Sequence, residues 1–183
     1  MKKIVFPEGD EERILKAAEI ISKKRIADVI LLGNVKKIYS KADRLNIRLE
    51  NVIVIDHIKS PDLKKFAKRL SKLRKLKIDA ALKLVKRRIY FGMMMLNDGD
   101  ADALIAGAET ETRNVLIPGF QIIKHREKAS GAMLMNVGKK QYLFADVAVQ
   151  ANPDAKELAG IALLSAKTFK ALTKNKPRVA MLS

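Results

Sequence analysis

Cysteine is absent from the 183 residues, which excludes disulfides, thiolate metal sites and a cysteine nucleophile, and fits a reducing, cytoplasmic compartment. Histidine is scarce. Only His57 and His125 occur, with no acid cluster at metal-ligand spacing beside them, so no zinc or iron centre is expected and each reads as a loop or helix-end residue. Long apolar runs are missing as well. No uncharged stretch exceeds ten residues, half of what a membrane-spanning helix needs, and the opening Met-Lys-Lys leads at once into a short strand pattern. Export and membrane insertion are therefore disfavoured. Neither a phosphate-binding P-loop nor a dinucleotide-binding glycine fingerprint is present, and there is no internal repeat, low-complexity tract or flexible linker.

What the chain has in excess is positive charge. Lysine and arginine number 37 against 20 acids, a net charge of +17, while 48% of the residues are apolar, enough for a packed core under an ionised surface. Much of the imbalance lies between Lys59 and Arg88, where thirteen basic residues meet two acids, Asp62 and Asp79. Such a stripe suits nucleic acid, anionic lipid or a polyphosphate ligand, or it is a solvated helix face. Its helical spacing favours the solvated face. Phe66 alone interrupts the charges, on the apolar side, and base stacking needs more aromatics than that.

Short β-rich runs alternate with stretches of helical periodicity, the pattern of βαβ units around a mainly parallel sheet with helices on both faces. Strands are expected at Lys3 to Phe6, Val29 to Leu32, Val52 to Ile55, Ala103 to Ala106, Ala132 to Val137, Tyr142 to Ala145 and Val179 to Leu182. Asp10 is placed to cap a helix carrying Ile14, Ala17, Ala18 and Ile21 on one side. Ser60 and Pro61 open a second with Leu63, Phe66, Ala67, Leu70 and Leu73, and a further helical stretch runs from Asp79 towards Met95, with Met93 to Met95 as core packing. A tight turn at Asn136 to Gln141 joins two strands as a hairpin and breaks the βαβ rhythm. The division expected is an N-terminal α/β domain over residues 1–130 and the start of a second, incomplete α/β domain over 131–183. Ending on a core strand with nothing after it to cover it, the chain reads as the front part of a longer or split protein.

Ligands in open α/β sheets gather beyond the carboxyl ends of the strands. After the fourth strand comes Gly107-Ala108-Glu109-Thr110-Glu111-Thr112-Arg113, where backbone amides, two hydroxyls and a guanidinium suit a phosphate or carboxylate; the alternative is that a threonine merely caps the helix. Pro7-Glu8-Gly9-Asp10 follows the first strand, but its acids make it a poor anion site, and a tight turn with a cap accounts for it.

Several strings in order and spacing resemble the phosphate acetyltransferases and their phosphate butyryltransferase relatives. They are Ile4-Val5-Phe6-Pro7-Glu8-Gly9-Asp10-Glu11 with Arg13, Leu31-Leu32-Gly33-Asn34, Leu73-Arg74-Lys75, Tyr90-Phe91-Gly92-Met93-Met94-Met95, Asp100 to Ala108, Gln121-Ile122-Ile123-Lys124, Phe144-Ala145-Asp146 and Arg178-Val179-Ala180-Met181-Leu182-Ser183. The resemblance implies a two-domain fold like that of isocitrate and isopropylmalate dehydrogenases, truncated here, and commonly a homo-oligomer. It implies the reaction of acetyl-CoA with phosphate to give acetyl phosphate and CoA, with coenzyme A as substrate and no metal. Thiol deprotonation and neutralisation of the phosphate then demand a base and cations. It further implies that Arg74 and the segment Gly107, Ala108, Thr110, Thr112, Arg113 lie near the ligand cleft.

Two departures stand out. Ile117 precedes Pro118 where the family typically carries an arginine, with Arg113 one helical turn earlier as a possible substitute. The family's later half, with its serine, aspartate and arginine, is missing, so no catalytic residue is expected in this chain and a second chain or further segment is needed as partner. The competing reading is a degenerate, non-catalytic module that binds nucleic acid or another polyanion through the basic stripe.

Overall fold

The computed structural model describes residues 1–123 and 129–182. The chain divides into two compact units, Met1–Lys124 and His125–Ser183, against the division after residue 130 read from the sequence. His125 lies outside the described residues.

The first unit is built on a four-stranded parallel sheet. Its strands are β1 (Lys3–Phe6), β2 (Asp28–Leu32), β3 (Val52–Ile55) and β4 (Ala103–Leu104), in the order β3-β2-β1-β4. Ile4 pairs with both Val29 and Ala103, so β1 is central. Because successive side chains point to opposite faces, the continuous apolar runs feed two cores. Phe6, Val29, Leu31 and Val52 meet Ile14, Leu15 and Ala18 of α1 (Glu12–Lys23) and Ile38 and Ala42 of α2 (Val35–Arg44). Val5, Ile30 and Leu32 meet α3 (Asp62–Arg74), α4 (Ile78–Val85) and α5 (Arg88–Asp98), with Phe66 and Phe91 packed edge to face at 5.0 Å. Met93, Met94 and Met95 are buried in this second core, as their periodicity suggests. The last helix of the unit is α6 (Thr112–Ile122).

The second unit holds an antiparallel hairpin of β5 (Ala132–Val137) and β6 (Lys140–Ala145), followed by α7 (Ala155–Thr173). Gly138, at φ 60°, takes the first central position of the turn, where type II′ turns place glycine. Met133, Met135, Val137, Tyr142 and Phe144 share one face of the hairpin and are exposed. Asp154 and Glu157 close a reciprocal capping box at the start of α7.

Four expectations are corrected. Glu11, not Asp10, caps α1 by accepting from the Ile14 amide at 3.0 Å, because Asp10 is drawn to cations across the sheet end. The stretch from Asp79 to Met95 is two helices: the His57 ring binds the Lys86 carbonyl at 3.0 Å, removing an acceptor that a continuous helix requires, and Arg87 is extended. The fourth strand pairs only over Ala103–Leu104. Finally, Val179 to Leu182 form no strand; among the described residues they have no partner strand, and Val179, Met181 and Leu182 are exposed.

Candidate functional site

From β1 the connections run outward to β2 and β3, then return to β4 on the other side of β1. The loops after β1 and β4 therefore part at the point where the strand order reverses, which opens a crevice in such sheets. Pro7 to Asp10 line one side and Ile105 to Glu111 the other.

Gly9 sets how closely the first loop approaches the sheet. Its amide donates to the Leu32 carbonyl at 3.2 Å, and a β-carbon there would stand 2.8 Å from that same oxygen. This fixes Glu8 and Asp10 on either side of it. The Glu8 carboxylate crosses to the opposite loop: Oε2 accepts from the Gly107 and Ala108 amides at 2.9 Å each, and Oε1 from Glu109 at 2.8 Å and Thr110 at 2.7 Å. Burial acts to raise the Glu8 carboxyl; the bonds from Glu109, Ala108 and Thr110, including the Thr110 hydroxyl, outweigh it and hold it below the usual carboxylate range. Arg13 secures the same loop from behind, donating to the Ala108 carbonyl and bonding Glu11 at 2.8 Å.

Asp10 turns the other way, to Arg88 and to Lys37 Nζ at 2.7 Å. Burial alone would raise it, but the two cations bring it down to about 2. A carboxyl depressed in the folded state contributes stability that is complete above its unfolded value and is lost as pH falls through the folded one. Asp10 therefore supports the fold by about 2 kcal/mol above pH 4, and loses that support between roughly pH 4 and 2. Thermal midpoints measured across this window will fall less steeply for Asp10→Asn than for the natural chain, from a lower starting value.

His57, just past β3, is buried, with its Nε2–H donating to Lys86 and its edge against Phe91 at 6.0 Å. Burial pushes its pKa down, so the ring is a neutral brace for the junction between α4 and α5.

Above Glu8 lies a cleft of about 620 Å³ at the crevice. Arg87, Arg88, Ile89 and Tyr90 from the start of α5 form one wall, with Thr110, Asn114, Ile117 and Pro118 from the loop and α6 on another. The Tyr90 hydroxyl donates to Gln121 at 2.7 Å. Its pKa is raised by burial, against the charges of Arg87 and Arg74 nearby. Arg88 is committed to Asp10, whereas Arg87 is exposed and makes no ion pair among the described residues.

Of the residues singled out by sequence, Gly107, Ala108 and Thr110 do hold an anion through their amides, but that anion is Glu8 of the same chain. Thr110 still lines the cleft. Thr112 opens α6 and Arg113 follows it, exposed. Arg74 sits exposed in the last turn of α3, outside the cleft wall. Ile117 does line the cleft, so the position of the missing arginine is a wall position. Sequence reasoning missed Glu8, Arg87, Tyr90 and Asn114. An acid directly after the central strand, facing a glycine-bearing loop, was the available sign for Glu8; Arg87 was hidden inside the basic stripe. That stripe is largely a solvated face, since Lys64, Lys68, Lys72 and Lys75 are exposed while Phe66 is buried. Among the described residues no acids and histidines gather as metal ligands do, and no helix is long and apolar enough to cross a membrane.

A parallel sheet flanked by helices, with a cationic and hydroxyl-bearing cleft at the reversal of strand order, is the arrangement of open α/β proteins, a class in which ligands gather beyond the strand ends. The model of the phosphate acetyl/butaryl transferase family matches residues 1–183, and the chain belongs to that family. It is 44% identical over 194 residues to a phosphate acetyltransferase of Thermoanaerobacterium thermosaccharolyticum, covering 100% of this chain and 58% of the relative. Identity to the phosphate acetyltransferase of Corynebacterium glutamicum is 40%, over 98% of this chain and 56% of the relative. Among solved structures, a phosphotransacetylase from Streptococcus pyogenes superimposes with a TM-score of 0.94 at 33% identity, over 100% of this chain and 57% of the other. The EutD phosphotransacetylase from Staphylococcus aureus gives 0.85 at 34% identity, over 92% and 52%. The chain thus spans little more than half the length of these relatives.

Proposed function

We propose that this chain supplies one wall of the site of a cytoplasmic phosphate acyltransferase, exchanging an acetyl group between coenzyme A and phosphate. The observation that carries this reading is the family match over the whole chain, to relatives named phosphate acetyltransferases. The cleft agrees with it, being a pocket with a guanidinium that makes no ion pair among the described residues, a carboxamide and an apolar side at Ile117 and Pro118. Acyl transfer needs a base for the thiol and cations for the phosphate. The described cleft offers cations, and its own acid Glu8 is consumed by four amides, which leaves it a weak base. The base is therefore assigned to polypeptide of the remaining length of the relatives, in a further segment or a second chain. Arg74, Thr112 and Arg113 remain candidates for the rim of the ligand path.

The test is a thioester assay with acetyl phosphate and coenzyme A. The 183-residue chain alone is expected to give no turnover above background, and turnover is expected to appear when the complementary segment of a relative is added. Failure to bind either reactant, alone or with that segment, would refute the reading.

A further inference from the structure

The acids and cations around the cleft can be assigned one by one. Each Glu8 oxygen receives two amides, and Arg88 is held by Asp10. Glu109 lines the cleft and lies near Arg13, close enough for its charge to strengthen that arginine's hold on its proton. Arg87 remains, exposed on the wall with its charge reaching Tyr90, as does that of Arg74 from outside the wall, and on the α6 wall the Asn114 carboxamide makes no side-chain bond among the described residues. A guanidinium supplies only donors, in a planar fork matching two oxygens of a phosphoryl group, and a carboxamide nitrogen adds a third direction.

We propose that Arg87 and Asn114 form the cleft's phosphoryl-binding pair, placing the anion between the start of α5 and the first turn of α6. This rests on the acyltransferase reading for its biological ligand, but the assignment is of residues and is tested without turnover. The phosphoryl group is that of free phosphate or acetyl phosphate, or one carried by coenzyme A; both sources use the same donors.

Inorganic phosphate and coenzyme A are titrated separately into the 183-residue chain, followed by calorimetry and by the arginine Nε–H resonances. Arg87→Gln is expected to weaken the phosphoryl ligand about tenfold or more, and Asn114→Ala about threefold. Arg87→Lys, which keeps the charge and loses the fork, should fall between. Arg44→Gln removes the same charge from an exposed position at the end of α2 and should change affinity less than about twofold. Ile117→Arg adds a guanidinium to the opposite wall and should tighten binding. Arg87 is exposed and makes no ion pair among the described residues, so Arg87→Gln should melt with the natural chain, and a matching melt confirms that any loss is local. Dependence of either ligand on Arg87 upholds the proposal. Binding that is unchanged in Arg87→Gln, or no binding of either ligand, overturns it. Arg87-dependent binding in a chain that gives no acyl transfer even with the complementary segment added removes the acyltransferase reading and leaves the pair; Arg87-independent binding in a chain that does complete the transfer with that segment has the reverse effect.

Discussion

Glu8→Ala will destabilise the first unit by about 3 kcal/mol and lower its thermal midpoint by about 10 °C. Four amides from Gly107 to Thr110 converge on this one carboxylate, at 2.7 to 2.9 Å. Deleting it leaves four donors without their acceptor, and only solvent entering from the cleft offsets part of that loss. The variant should regain stability with added formate or acetate, saturably, because a small carboxylate fits the vacated space and meets the same amides. Glu8→Gln separates this from a general salt effect. It fills the space but turns an NH₂ towards two donors, so it should be destabilised and should not respond to formate. Equal formate responses in Glu8→Ala and the natural chain would show that the amides are not a carboxylate site.

Gly9→Ala is the second large effect. Its added β-carbon would stand 2.8 Å from the Leu32 carbonyl oxygen, 3.0 Å from the Leu31 β-carbon and 3.1 Å from the Leu32 nitrogen. Two of these are strand backbone, which cannot rotate aside, so β1 and β2 must separate at their ends. The expected cost is about 3 kcal/mol, at the upper end for an added methyl group in a packed interior. The shift also pulls Glu8 and Asp10 off their partners, so acid sensitivity should change together with the denaturation midpoint. Gly99→Ala is the contrast: at φ 81°, with nothing within 4 Å among the described residues, it carries backbone strain alone and should cost about 1 kcal/mol. Near-equal midpoints for the two variants would contradict the close approach at Gly9.

Local periodicity made much of the architecture legible. The first three strands, the apolar side of α1, the buried methionines of α5 and the hairpin follow from residues within a few positions of one another, where spacing is a direct readout of faces. What escaped depends on distant partners. The break between α4 and α5 involves His57, 29 residues before Lys86. The Asp10 cap was lost to Arg88, 78 positions away, and Glu8 meets its amides across about a hundred residues. The anion-binding loop was found by its composition, but composition could not say that the anion came from inside. Arg87 and Arg88 are adjacent and chemically alike, and only the folded chain gives one to Asp10 and leaves the other open.

A covalently tethered plug behaves differently from a dissolved one. Because the Glu8 carboxylate is carried by the same backbone as the loop it fills, its local concentration is set by geometry and cannot be diluted. Dialysis or gel filtration strips a diffusible guest but leaves this occupant in position. The floor of the cleft is thus already shaped by the chain itself, and any molecule entering it would meet a finished surface that it has no need to organise.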